Sequence, residues 1–233
     1  VYDLGGGTFD ISIIRVTGQD VEVLSSDGVS ELGGHDIDLA LQKLFLSKFE
    51  EATGEPLEKA DFDLNAAEEM KKSLSSRDSA KRRVNRVLIE ITRQEFEEVI
   101  SALLAQTVMM CESALLEAEL SVTDLQGVIL AGGSTRIPAV QNTVRKVFGL
   151  EPISAVNVDE VVALGAVLYA AYKGDRSTLS PLQRVSVDQM SFTERTHRYF
   201  GTLAVTFQVA SQEQKLQNSI IIPRNQEVPC SVT

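Results

Sequence analysis

The chain has 233 residues, of which 43% are hydrophobic and 24% charged, and its formal net charge is −11. This length and apolar content suffice for one substantial core or two small ones, while the acidic balance argues against nucleic acid as a partner. No apolar run approaches the ~20 residues that cross a bilayer and no secretory h-region is present, so we expect a cytoplasmic protein without a membrane partner. The alternative is a leader on the parent protein, upstream of Val1.

Residues 1–10 (VYDLGGGTFD) predict two short strands joined by a glycine turn. The glycines let a ligand approach the main chain without a side chain in the way. With Gly5 to Thr8 as the turn, Asp3 faces Asp10 across the strand pair, an arrangement that is unfavourable for two carboxylates. A hydrated metal ion carrying phosphates would satisfy both acids. The alternative is a plain glycine hairpin with two exposed acids.

Strands then alternate with helices, which predicts an α/β domain. The expected elements are strands over 11–16 and 21–24, a loop over 25–34, a helix starting at 35, a helix over 61–75, a strand over 83–92, a helix over 92–120, a strand over 127–131, a helix over 138–149 and a buried helix over 159–172. Thr92 and Glu95 have the spacing of a capping box, and Pro138 suits a first helical turn. The composition changes after Lys173, where a polar linker leads to strands over 203–209 and 220–222 with no further helix pattern.

Residues 129–138 (ILAGGSTRIP) form a second candidate ligand site. A buried strand runs through two glycines into a helix start, which offers backbone N–H groups and a helix dipole to an anion or a ribose-phosphate. The guanidinium of Arg136 could stack on a base. The alternative is a tight turn in which Ser134 or Thr135 caps the helix.

The helix over 61–75 carries a third candidate, because Glu68, Lys71, Lys72 and Ser75 share one side of it. Such a face could hold a hydroxylated, charged ligand. The alternative is a solvated surface of salt bridges.

Other reactive or charged residues are predicted to have structural places. The basic run over 77–86 is expected to be a solvated hairpin, and His35 and His197 are expected in surface loops. Cys111 falls on a helical apolar stripe and is expected to be buried, and neither it nor Cys230 has metal-ligand spacing.

Taken together, these segments resemble the 70-kilodalton heat-shock chaperone family over roughly residues 1–172, in the family's order and spacing. The resembling segments are the second phosphate loop (1–10), LGGHDID against the family's LGGEDFD (32–38), the adenosine-contacting helix (68–75), the adenosine loop (130–138) and the helix after it (157–165).

The resemblance implies an actin-like ATPase fold, related to ribonuclease H, in which ATP or ADP binds between two lobes. Residues 1–172 would form the second lobe, 173–188 an interdomain linker, and 189–233 the truncated start of a β-sandwich that binds peptides. Val1 lies inside a strand motif, so we expect a longer parent protein that supplies the first lobe. We expect this chain alone to hydrolyse ATP negligibly.

Site roles carry over by position. The resemblance places Asp3, Thr8 and Asp10 at the catalytic centre, with Asp3 and Asp10 near Mg²⁺ and with K⁺ as a second candidate cation. The residues implied to bind the nucleotide are Gly5, Gly6, Gly7, Glu68, Lys71, Lys72, Ser75, Gly132, Gly133, Ser134, Arg136 and Asp159.

Departures from the family lie at single positions and in the linker. The family usually has arginine at Lys72, glutamate at His35 and proline at Val158. The nearest equivalent of its leucine-rich linker is VSVD at 185–188, and 193–219 matches poorly, whereas 222–229 resembles the sandwich's IPRNTTIP.

The partners implied by the resemblance are unfolded or extended polypeptides, a J-domain co-chaperone and a nucleotide exchange factor. The altered linker leaves open a poorly hydrolysing co-chaperone or exchange factor. Another actin-like ATPase, such as a sugar kinase or filament protein, is the third possibility.

Overall fold

The structure is a computed structural model that describes residues 1–153, 157–196, 199–208, 213–224 and 226–229. Its contacts divide the chain into two compact units. The first comprises Val1–Ile11 and Gly28–Ala166, and the second comprises Ser12–Asp27 and Val167–Thr233. The candidate residues of the three ligand sites all belong to the first unit.

Helices and strands alternate as an α/β fold requires. They are β1 (Tyr2–Leu4), β2 (Phe9–Thr17), β3 (Asp20–Val29), α1 (Gly34–Thr53), α2 (Leu64–Ser76), β4 (Ser79–Val84), β5 (Val87–Thr92), α3 (Arg93–Glu117), β6 (Val128–Ala131), α4 (Pro138–Phe148), β7 (Pro152–Ile153), α5 (Val161–Lys173), α6 (Pro181–Asp188), β8 (Ser191–Arg195), β9 (Phe200–Gln208), β10 (Glu213–Ile222) and β11 (Glu227–Val228).

The sheet of the first unit has the order β2-β1-β6-β7. Strand β1 is antiparallel to β2 and parallel to β6, and β6 is parallel to β7. The register pairs Asp3 with Asp10 and Leu4 with Phe9, as the glycine turn predicts. Successive side chains of a strand point to opposite faces, so Leu4 and Phe9 are buried on the core face and the two acids lie on the other.

The helical part of the first unit follows its local sequence signals. Thr92 and Glu95 form the expected capping box of α3, and α4 begins at Pro138 and ends at Gly149 in the left-handed conformation. The free thiol of Cys111 is buried, as its position on the apolar stripe predicts, and burial raises its pKa to about 12. Cys230 and His197 lie outside the described residues.

Helix α3 is long and apolar enough to cross a membrane by length and composition, contrary to the expectation from the sequence. Core helices of soluble proteins have the same character, and α3 packs against α1 and α4. Its inward face includes Phe96, Ile100 and Leu104.

Four expectations about elements are wrong. The segment 83–92 is not one strand, because β4 and β5 form a hairpin whose turn residues Asn85 and Arg86 have φ of 47° and 69°. Positive φ at both central residues suits the twist of a two-residue hairpin turn. The expected loop over 25–34 begins later, since β3 continues to Val29. Helix α5 has no buried residue despite its apolar sequence.

The fourth difference concerns the second unit, where α6 is a helix within the stretch expected to be linker. Ser180 caps it and Pro181 occupies its first turn, a combination that favours helix over extended chain. Beyond it, β8 pairs parallel with β3 and antiparallel with β11, while β9 and β10 form a separate hairpin. The change to β-structure after α6 agrees with the sequence prediction.

Candidate functional site

Two glycine loops meet at one edge of the sheet because β1 and β6 are parallel neighbours. Tyr2 pairs with Leu130 and Asp3 with Ala131. Parallel strands end at the same edge, so Gly5 and Gly132 follow there side by side. The first two candidate stretches, whose contacting residues Gly5 and Ser134 are 129 positions apart in the chain, therefore form one surface.

Gly132 occupies a position that only glycine fits. Its φ is +82°, and a Cβ there would lie 2.3 Å from the carbonyl oxygen of Leu4 and 2.7 Å from Oδ1 of Asp3. Just beyond it, the hydroxyl of Ser134 donates a hydrogen bond of 3.0 Å to the carbonyl oxygen of Gly5. The second loop is thus locked directly onto the first.

The start of α1 packs against the hairpin turn. The amide of Gly34 donates to the carbonyl of Gly5 at 2.9 Å, and the amide of His35 donates to that of Gly6 at 2.7 Å. A Cβ at Gly33 would lie 2.6 Å from the amide nitrogen of Gly7, so this contact requires glycine. His35 consequently belongs to the first turn of α1, and the expectation of a surface loop is wrong.

The turn itself presents main-chain donors. Gly6 and Gly7 are exposed, and within the described part of the chain their amides donate to no other residue. Successive free amides in a turn form a concavity suited to an anion.

A cavity of about 810 Å³ opens beside these loops. Its wall combines the hairpin turn, the start of α1, the polar face of α2 and the second glycine loop. The lining residues are Gly6, Gly34, His35, Asp38, Leu64, Asn65, Glu68, Lys71, Lys72, Ser75, Gly133, Ser134, Arg136, Ile137 and Asp159.

One ion pair is buried in this wall. Nζ of Lys71 on α2 is 2.9 Å from Oδ1 of Asp38 on α1 and donates to Oδ2 at 3.0 Å. It also donates to the carbonyl of Gly34 at 3.3 Å. Burial raises the pKa of Asp38, and the hydrogen bond from Lys71 acts in the opposite direction. The pair ties two helices together at the cavity.

The other charged pairs of the wall are exposed. Lys72 lies 3.0 Å from Glu68 one helical turn away, and this hydrogen bond lowers the pKa of Glu68. Across the cavity, Arg136 donates to Asp159. Exposed pairs are weakly held, so both cations can turn towards a ligand at low cost.

The facing acids lie on the hairpin beside the cavity. Burial raises the pKa of Asp3, and the negative charge of Asp10 adds to the shift. Such a shift marks a site where a cation would be favourable. Among the described residues, no group of three or more His, Cys, Asp and Glu side chains forms a metal cluster, so a cation here would need further ligands.

Comparison with known proteins gives the family. The model of the family described as "Hsp70 protein" matches residues 1–217. The chain belongs to the Hsp70 family. It is also 41% identical over 170 residues to proteins described as "Chaperone protein HscA homolog" from Acinetobacter baumannii strains AYE and ACICU. That match covers 73% of this chain and 27% of each relative, so the chain spans about a quarter of their length. Its mixed sheet and helices fit the actin-like ATPase fold of the Hsp70 family.

The cavity of this Hsp70-family chain brings together most of the residues that the motifs imply for adenosine: Glu68, Lys71, Lys72, Ser75, Gly133, Ser134, Arg136 and Asp159. Gly6 also lines it and Gly7 lies exposed beside it at the turn, whereas Gly5 and Gly132 shape the loops behind the wall. Asp3, Thr8 and Asp10 lie on the hairpin outside the wall.

Six wall residues had no role assigned from the sequence: Gly34, His35, Asp38, Leu64, Asn65 and Ile137. Helical spacing offers a signal for Leu64 and Asn65, which precede Glu68 by one turn on the same helix. Asp38 has no such signal, because its partner Lys71 lies on another helix.

Proposed function

We propose that this chain is the nucleotide-binding second lobe of an ATP-dependent Hsp70-type chaperone. The observation that carries the proposal is the cavity in which two glycine loops, the start of α1 and the polar face of α2 meet. Its volume of about 810 Å³ suits a ligand the size of ATP or ADP.

Each part of the wall has a matching part of the nucleotide. The free amides at Gly6 and Gly7 would bind phosphate oxygens, with Gly5 fixing the turn. The planar guanidinium of Arg136 would stack on the base. Lys72 would also lie against the base, but its side chain has no planar group with which to stack. Residues proposed to hold the adenosine are Glu68, Lys71, Lys72, Ser75, Gly133, Ser134, Arg136 and Asp159, while Gly132 shapes the loop that carries three of them.

Asp3 and Asp10 would hold Mg²⁺ through their carboxylates, because burial and mutual repulsion at this pair favour a bound cation. Mg²⁺ neutralises phosphate charge in phosphoryl transfer, and K⁺ is a second candidate cation. Thr8 places a hydroxyl at the turn, and the two acids would orient the attacking water. Phosphoryl transfer depends mainly on such positioning and charge.

In the whole protein, hydrolysis would be coupled through 173–188 to a peptide-binding β-domain that begins at 189. Clients would be unfolded or extended polypeptides, which bind such domains through their main chain. A J-domain co-chaperone, a nucleotide exchange factor and a cytoplasmic location belong to this proposal.

A specific observation favours a second candidate. The segment 185–188, the nearest equivalent of the family's leucine-rich linker, contains no leucine and lies within α6. A poorly hydrolysing co-chaperone or exchange factor would need less coupling. Peptide-stimulated ATPase activity in the full-length protein would decide for the chaperone.

The phosphate site is tested by Thr8→Ala and Asp10→Asn in the full-length protein. Each should reduce the hydrolysis rate about 10-fold or more, the scale of one lost electrostatic contact. Asp61→Asn, an exposed acid that does not line the cavity, serves as the control and should leave the rate unchanged. Unchanged rates in the two site variants would refute this placement of the phosphates. The 233-residue chain alone should show negligible turnover.

A further inference from the structure

Asp38 and Lys71 stand apart from the other ion pairs of the chain. They are the only charged residues among the described ones that are buried, and each side chain is 11% exposed. Enclosing two charges costs desolvation energy that the pair interaction only partly returns, and apolar replacements are often as stable. A buried ion pair on a cavity wall therefore suggests a role beyond stability.

The geometry leaves one donor of Lys71 unused. An ammonium group has three N–H donors. One is directed at the carboxylate of Asp38, whose Oδ1 and Oδ2 lie at 2.9 and 3.0 Å and whose Oδ2 accepts the hydrogen bond, and one at the carbonyl of Gly34 at 3.3 Å. Because Lys71 lines the cavity, the third is available to an acceptor on a ligand there.

The same geometry compensates the charge. With the Asp38 carboxylate at 2.9 and 3.0 Å, Lys71 meets a ligand as a fixed hydrogen-bond donor rather than as an isolated cation. A free lysine side chain would have several rotamers and would lose that freedom on binding. Anchoring it in advance reduces this cost.

We propose that Asp38 is a positioning residue of the nucleotide site, which acts through Lys71 by fixing its ammonium with one hydrogen directed at an oxygen of the ligand. This inference rests on the proposed nucleotide function.

The first test follows the ammonium itself by ¹⁵N NMR in the ligand-free 233-residue chain. A buried, hydrogen-bonded NζH₃⁺ group exchanges slowly with water and gives an observable signal. We expect a signal assigned through Lys71→Gln, its loss in Asp38→Asn, and its partial return in Asp38→Glu. Persistence of the Lys71 signal in Asp38→Asn would overturn the positioning role.

The second test measures ADP affinity by calorimetry at a temperature where circular dichroism shows each variant folded. Asp38→Asn and Lys71→Gln should each weaken ADP binding about tenfold, on the scale of one charge-assisted hydrogen bond. The double variant should bind no more weakly than Lys71→Gln, because Asp38 acts through Lys71. Independent effects that multiply in the double variant would overturn the inference.

Glu95→Gln is the matched control. Like Asp38, Glu95 forms an ion pair with a lysine on another helix, in this case Lys48 of α1 at 2.5 Å, but it lies outside the cavity wall. It should keep both the Lys71 signal and the ADP affinity. A Lys71 signal that depends on Asp38, combined with no response of any cavity residue to ADP, would refute the proposed nucleotide function and not the ion pair. If Asp38→Asn kept both the Lys71 signal and the ADP affinity, the positioning role of Asp38 would be refuted, while the proposed nucleotide function would stand.

Discussion

Replacing Asp10 with asparagine should stabilise the ligand-free chain. Asp3 and Asp10 are direct partners in the β1–β2 ladder. Directly opposed residues lie ~5 Å apart, where two like charges repel by about 1 kcal/mol in water and about 3 kcal/mol at an effective dielectric constant near 20. Because Asp3 is only half-buried and Asp10 is exposed, the lower value applies, and Asp10→Asn should raise the free energy of unfolding by about 1 kcal/mol.

The gain should depend on pH with a definite sign. Burial and the charge of Asp10 raise the pKa of Asp3 in the folded chain, so its ionisation disfavours folding. That penalty is absent below the pKa of Asp3 in the unfolded chain and grows as the pH rises through the higher folded pKa. The advantage of Asp10→Asn should therefore be full at pH 7 and should shrink towards pH 4.

Urea unfolding followed by circular dichroism, without nucleotide or Mg²⁺, measures the difference. The exposed Asp61→Asn removes the same charge elsewhere and should stay within about 0.5 kcal/mol of the wild type. The reasoning fails if Asp10→Asn is less stable than the wild type at pH 7, or if its advantage is the same at both pH values.

Two further substitutions test the scaffold. Glu95 has a pKa lowered to about 2, first by its hydrogen bond from Lys48. The stabilisation by ionised Glu95 is present above its unfolded pKa and is lost as the pH falls from about 4.5 to about 2. In urea unfolding, Glu95→Gln should therefore lower the free energy of unfolding by about 1 kcal/mol at pH 7, after allowance for exposure, and by little at pH 2.5. An equal cost at both pH values would contradict this. In thermal unfolding, Gly132→Ala should cost about 2 kcal/mol or more, because the residue has positive φ and a Cβ would collide with the carbonyl of Leu4. Gly165→Ala in α5, where a Cβ would meet no other atom, should be neutral or stabilising. Equal effects of the two substitutions would refute the argument from close approach.

Local signals in the sequence correctly predicted features that depend on residues close together in the chain. The glycine turn and the alternation of buried residues gave the Asp3–Asp10 register, and Thr92 with Glu95 gave the start of α3. The hairpin predicted for the basic run over 77–86 is confirmed by β4 and β5. The strand predicted over 83–92 nevertheless ran through its turn, because Asn85-Arg86 contains no glycine, although both residues take positive φ. Composition also misled at α5, since apolar residues predict burial only where another element covers them.

Tertiary contacts explain what the sequence could not provide. The meeting of the two glycine loops depends on the parallel pairing of β1 with β6, which no local pattern encodes. The pairing of Asp38 with Lys71 joins two helices over 33 residues. From the sequence, Asp38 is simply one polar residue near the start of α1.

The distribution of charge around the cavity suggests why a cation should accompany the proposed nucleotide. The lysines and the arginine of the wall each have a carboxylate partner within this chain, in the pairs Asp38–Lys71, Glu68–Lys72 and Arg136–Asp159. The hairpin acids instead face each other, so the uncompensated charge beside the phosphate loop is negative. Under the proposed function, phosphates would be repelled there unless a divalent cation came with them, whereas the side of the cavity proposed to bind adenosine has no such requirement. The charges around the two glycine loops therefore differ, and they support placing the proposed Mg²⁺ at the first loop.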